Sequence, residues 1–193
     1  MTQPSGFSAE RAVQRYLPLM HEVATRIDLV AHACEGRLNL TPAYAREYAY
    51  LQFRRICELV ALGCLQLHGD LPRARSSAAQ KEWNAEKIMR MLHEDYPHAY
   101  PQSVIWERGP QRHTFRANAK PNALTLKQFK SLYAECGEVL HRGTIRSIEQ
   151  SPTLKESDYQ KVIDWQQRIV DLLNEHIVTR SGSQGLYITS LRT

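Results

Sequence analysis

The stretch Thr41–Asp70, TPAYAREYAYLQFRRICELVALGCLQLHGD, decides the fold. Thr41 supplies an N-cap and Pro42 fits the first helical position, where its missing N–H costs nothing. No breaker interrupts the run until Gly69, which is expected to close the helix in a left-handed conformation. Between Ile56 and Leu67 the helix is apolar on nearly every side, with Glu58 and Gln66 as interruptions. A helix that is apolar all round is surrounded by neighbours, so this segment is read as the centre of an all-α bundle. It is too short for a membrane span, which takes about 20 apolar residues.

Four further helices are expected around it. The first runs from the N-cap Ser8 to about Glu35, with Leu17, Met20, Val23, Ala24, Ile27, Val30, Ala31 and Cys34 at helical spacing. Pro18 predicts a kink or a break into two helices, and Gly36 ends the segment. After Ser76 and Ser77, AAQKEWNAEKIMRMLHEDY reads as one helix with Trp83, Ile88, Met91 and Leu92 buried and Pro97 as its stop. Thr125 and Gln128 fit a capping box that opens a helix running to Gly143. The last begins at Ser157 or Asp158 and presents Val162, Trp165, Ile169, Leu172, Leu173 and Ile177 as far as about Thr179. Between the third and fourth helices, SVIWE and RHTFRA flank RGPQ, which predicts a short β-hairpin near residues 102–117.

The chain of 193 residues, 42% hydrophobic and 23% charged, suits one folded domain, taken as residues 1–180 with a C-terminal tail at 181–193. The piece LYIT in that tail favours β structure, as a loose end or as an edge strand added to the hairpin. The opening MTQPSGFSAERAVQRY has no apolar segment of signal-peptide type, so a cytoplasmic location is expected. Cys57 and Cys64 lie two turns apart on one helix, about 10 Å of rise, beyond disulfide reach. All four cysteines are read as free thiols.

A formal charge of +5 directs attention to anionic partners, and one segment is locally basic. Arg108, Arg112, His113, Arg116 and Lys120 stand in and after the hairpin, with Trp106 and Phe115 among them. Aromatic rings among cations suit base stacking with phosphate contact, so these residues are the candidate nucleic-acid contacts.

Candidates for chemistry come from two similar helix ends. Gly63-Cys64 precedes Leu67-His68-Gly69-Asp70, and Cys136-Gly137 precedes Leu140-His141-Arg142-Gly143. Gly63 and Gly137 are expected to permit close helix approach, and such a crossing would bring His68 and His141 to one end. Each histidine is equally well placed to cap carbonyls in the last turn of its helix. Arg54, Arg55 and Glu58 form a second group, with Glu58 in the buried half of the helix. That group is either a structural ion pair or the acid–base part of a site. No metal is expected, because Glu138 and His141 make only a single E-x-x-H and no Cys-x-x-Cys is present. No phosphate-binding glycine loop or nucleophile elbow occurs, and no cofactor is expected.

The segment ATRIDLVAHACEG places Arg26 and His32 on the first helix with five residues between them. This resembles the motif of HEPN domains. The resemblance implies a helical bundle of bacterial defence or toxin systems, often a metal-independent ribonuclease whose motif pairs with that of a second protomer. It implies Arg26 and His32 as catalytic residues with Asp28 as a polar helper. Metal-free RNA cleavage needs a base for the 2′-hydroxyl and a cation for the phosphorane, and His68, His141, Arg142 and Glu58 are further candidates. The pair YAECGEVLHRG and RRICELVALGCLQLHGD also resembles segments of bacterial helical proteins, a resemblance that implies no activity. The expected function is a helical nucleic-acid- or protein-binding module of a defence or mobile-element system, with RNA, a protein subunit or a second copy as partner. A HEPN-like ribonuclease is the alternative.

Overall fold

The computed structural model describes residues 7–109, 113–141, 156–180 and 185–191. Helix α2 (Pro42–Leu67) is the core element, as its all-round apolar character requires. From Ile56 to Leu67 all its residues but Leu62 and Gln66 are buried. Around it pack α1 (Ala9–Cys34), α4 (Ala85–Asp95), α5 (Leu126–Leu140) and α6 (Glu156–Leu173), and α3 (Ser77–Lys81) is a short turn before α4. Helices dominate the fold.

Closest packing occurs where α1 crosses α2. A Cβ on Gly63 would stand 2.8 Å from Cε2 of Tyr16 and 3.4 Å from Cε of Met20, so only glycine lets the two helices meet there. Ser8 caps α1 through the amide of Arg11 at 3.3 Å, and Gly36 leaves it at φ +75°. Pro18 lies within one continuous helix, so the expected break does not occur. Its position in the third turn removes one main-chain bond, and the buried face either side of it (Tyr16, Met20, Val23) holds the helix together.

Four expectations are corrected. Gly69 does not take the left-handed conformation: α2 ends at His68, whose amide donates to Cys64 O at 3.0 Å. The third helix is two helices, because the Asn84 side chain accepts from the amide of Lys87 at 3.0 Å and starts α4 afresh. Trp83, left in the joint, is 61% exposed rather than buried. The last helix stops at Leu173, and Glu175–Thr179 forms strand β3.

That last change alters the fold class. The hairpin strands β1 (Gln102–Arg108) and β2 (His113–Ala117) join β3 and β4 (Leu186–Ser190) in one antiparallel sheet of order β2-β1-β3-β4. The protein is therefore a helical bundle carrying a four-stranded sheet, not an all-α bundle with a hairpin. His176, Ile177 and Val178 are all buried, and a short run buried on both faces cannot be told from a helical turn by periodicity. The segment 186–190 is the edge strand beside β3, paired from Glu175↔Ser190 to Thr179↔Leu186.

A buried polar node fixes the sheet to the helices. The Tyr16 hydroxyl meets Nε2 of His176, whose Nδ1 faces Leu173 O at 2.8 Å. The carbonyl makes Nδ1 the protonated nitrogen and leaves Nε2 to accept from tyrosine. Burial lowers the pKa of this imidazole to about 4, against the smaller opposing effect of the Leu173 carbonyl. A second tie joins the end of α2 to the end of β3, where Arg180 pairs with Asp70 at 3.0 Å.

Candidate nucleic-acid interface

The hairpin owes its shape to unequal pairing. Strand β1 pairs with β3 only at Gln102↔Ile177 and Ser103↔His176, whereas it pairs with β2 from Val104↔Ala117 out to Arg108↔His113. Its outer part is held by β2 alone, so the two strands extend past the body of the sheet as an arm.

Along that arm Trp106 stands opposite Phe115 and Ile105 opposite Arg116. Every residue from Thr114 to Ala117 is exposed, and Phe115 shows 40% of its surface. A half-buried strand alternates between core and solvent, and β2 does not. The Arg116 guanidinium, 4.0 Å from the carboxylate of Glu107, is loosely held at the surface. Arg108 and His113 are register partners at the outer end of the ladder. Arg112 lies outside the described residues. Lys120, just past β2, is half-buried at the base of the arm.

The proposed chemical groups do not meet. His68 is fully buried at the end of α2, with Nδ1 2.8 Å from Cys64 O and Nε2 3.0 Å from Thr179 O. Both ring nitrogens are thus turned to main-chain carbonyls, which leaves neither for a substrate. His141 is the exposed residue after α5, its amide donating to Gly137 O at 3.0 Å. Along α5, Tyr133 lies under Arg54 and Glu135 accepts from the Tyr50 hydroxyl, so α5 climbs toward the N-terminal end of α2. His68 lies at the other end, about 21 Å of helical rise beyond Arg54. The crossing expected to unite the two histidines therefore keeps them apart. Gly137 does not serve a close approach either, since a Cβ there would meet only the Arg54 guanidinium at 3.9 Å. Arg142 lies outside the described residues.

Glu58 forms a structural ion pair. One carboxylate oxygen takes Arg55 Nη1 at 2.8 Å and the other takes Arg54 Nε at 3.3 Å, while the Arg54 guanidinium also sits 5.2 Å from the centre of the Tyr133 ring. Both lobes of a nearly buried carboxylate are occupied, which answers the cost of placing it there. A parallel link lies nearby, where Lys161 meets the Glu135 carboxylate at 2.7 Å.

Arg26 is likewise engaged, by Glu22 at 2.9 Å and by the buried Gln52 amide oxygen at 2.7 Å. His32 stands in the last turn of α1, about 9 Å along the axis and about 120° around it from Arg26. Asp28, about 200° around the helix from Arg26, lines a small hollow against α6 and does not assist it. The buried thiols are poor nucleophiles: burial pushes Cys64 and Cys136 up to about 12 and Cys57 well above its ordinary value. Among the described residues no group of three or more His, Cys, Asp or Glu is placed to hold a metal ion.

Two concave sites have no counterpart among the sequence expectations. Arg11, Arg15 and Arg75 line a groove between the start of α1 and the end of α2. His93, His98, Ser103 and Lys120 line a cavity at the base of the arm. The sequence signal for the second is the proline-spaced segment PHAYPQS, which has no helical or strand period to mark it. No family model, curated protein or solved structure matches this chain. No helix among the described residues is long and apolar enough to cross a membrane.

Proposed function

We propose that the protein is a helical nucleic-acid-binding module, of the kind expected in a defence or mobile-element system, and that it holds a single strand along the β1–β2 arm. The observation that carries this reading is β2, an edge strand exposed on both faces that presents Phe115 beside Arg116. Phe115 offers a stacking surface, with Trp106 opposite it as support, and Arg116 and Lys120 supply phosphate contacts. The sequence tolerance of stacking suits recognition of a strand rather than of a base sequence.

Binding rather than cleavage is favoured by the dispersal of the candidate groups. A metal-free ribonuclease site needs its base and its cation around one phosphate. Here His68 faces carbonyls, Glu58 is held by two arginines and His141 stands at the far end of the bundle.

Fluorescence anisotropy with a labelled single-stranded oligonucleotide tests the proposal. Phe115→Ala is expected to weaken binding about tenfold, the scale of one lost stacked base. Arg116→Glu is expected to weaken it further, whereas Trp83→Ala, which removes an exposed aromatic outside the arm, leaves affinity unchanged. Equal affinity for all four proteins would remove the arm from the account.

A further inference from the structure

A cavity of about 450 Å³ opens where the arm joins the body. Its walls come from the turn after α4, the start of β1, the segment following β2 and the first turn of α5. Three kinds of hydrogen-bond donor and two imidazoles line it. Thr125 Oγ1 accepts from the amide of Gln128 at 3.3 Å, and the amide of Phe129 binds Thr125 O at 2.8 Å. That arrangement leaves the amides of the first two residues of α5 without a carbonyl partner in the helix, at its positive end. Lys120 brings an ammonium group that forms no ion pair among the described residues. His93 donates from Nδ1 to the Pro97 carbonyl at 3.2 Å, so its Nε2 donates to an anion only in the imidazolium form, and His98 contributes a second imidazole.

The third donor is Ser103. It is 1% exposed, lines the cavity, and its Oγ has no hydrogen-bond partner. A buried hydroxyl in that state is costly, and an acceptor entering the cavity would relieve it. Among the described residues no carboxylate lines the cavity, and the acids on the adjoining turn of α4, Glu94 and Asp95, are both taken by Arg73. The rings of Pro97, Pro101 and Pro121 with Leu126 add apolar surface to the lining, and the polar Gln102 and Asn118 side chains there are bonded to each other at 3.3 Å. The site therefore prefers an anion and sets proline rings beside the groups that would hold it.

We propose that this cavity binds a phosphate monoester carried on a planar apolar body, that is, a nucleoside monophosphate, either free or as the terminal nucleotide of a strand. The phosphate lies at the start of α5 with Lys120 and the imidazoles, and the base packs against the proline rings beside them. The terminal-nucleotide form rests on the arm reading given above, and the free form does not.

Calorimetric titration of the full chain with adenosine 5′-monophosphate, adenosine and inorganic phosphate decides the matter. The monophosphate is expected to bind at least about tenfold more tightly than either fragment, and Lys120→Ala and His98→Ala are each expected to weaken it about tenfold, one charge-assisted contact apiece. Absence of monophosphate binding, or binding indifferent to both substitutions in proteins with the parent's melting temperature, would overturn the proposal. Oligonucleotides with a 5′-phosphate or a 5′-hydroxyl then distinguish the sources. A preference for the phosphorylated strand that His98→Ala abolishes supports the strand end, and equal binding supports the free nucleotide. If the Phe115 and Arg116 variants leave oligonucleotide affinity untouched, the arm reading fails while the mononucleotide titration still judges the cavity.

Discussion

Two glycines with the same sequence context, Gly63 and Gly137, have opposite roles. At Gly63 an added methyl would collide with the Tyr16 ring at 2.8 Å, and at Gly137 it would find only the end of an arginine at 3.9 Å. Gly63→Ala is expected to lower stability by about 1–3 kcal/mol through overpacking. Gly137→Ala should raise it by about 0.5–1 kcal/mol, the helix preference of alanine over glycine. Urea denaturation of both variants checks the pair, and equal signs would refute the packing account. His176 offers a second test at this scale. The unfolded chain takes up its proton near pH 6.5, while burial holds the folded imidazole down to about 4. Between those values the unfolded state binds more protons, so stability contributed by this group is intact above about 6.5 and falls as pH drops toward 4. The loss at the lower limit is about 3 kcal/mol, and a melting series from pH 7 to 4 should show it in the parent and much reduced in His176→Gln. The Ser8 and Thr125–Gln128 caps and the Arg54–Glu58 pair were legible in the sequence because they depend on neighbours three or four residues away, whereas Thr41 precedes α2 without a side-chain bond. The Tyr16–His176 contact was not, because its partners lie 160 residues apart.

Two helix starts were legible because a side chain makes each of them. Ser8 and the Thr125–Gln128 box stand as read, each closing a bond to a nearby amide. The division of α3 from α4 is hidden in the sequence because the Asn84 cap sits inside a run that reads as helical. Asn84→Ala is expected to cost about 1 kcal/mol, as loss of an N-cap does, while Trp83→Ala should fall within about 0.5 kcal/mol of the parent. Thermal denaturation distinguishes them, and a larger effect at Trp83 would mean that the joint is packed after all. Strand β3 is hidden for a different reason. Ile177 continues the helical stripe set by Ile169 and Leu173, and only the β-branched run Ile-Val-Thr hints at extended structure. The strand carries no polar penalty in the interior because β1 and β4 flank it and His176 finds Tyr16.

For the molecule as a whole, the central helix was legible from its all-round apolar face, and the basic aromatic hairpin from its composition. What joins them was not. The sheet ties the C-terminal segment to the arm, and the cavity at their junction draws on residues from His93 to Leu172 that no local pattern unites. The histidines singled out for chemistry are distributed over the bundle, which weighs against the ribonuclease alternative and for the binding module expected first. In the proposed binding mode Arg116 and Lys120 meet the phosphates of a single strand along the arm. Its most direct test is the affinity for a single-stranded oligonucleotide measured across a salt series. Each neutralised phosphate contributes about −0.7 to the slope of log Kobs against log salt, so two contacts predict a slope of about −1.4 or steeper, flattened by about 0.7 in Arg116→Ala. A slope near zero, or one that Arg116→Ala leaves unchanged, would contradict it.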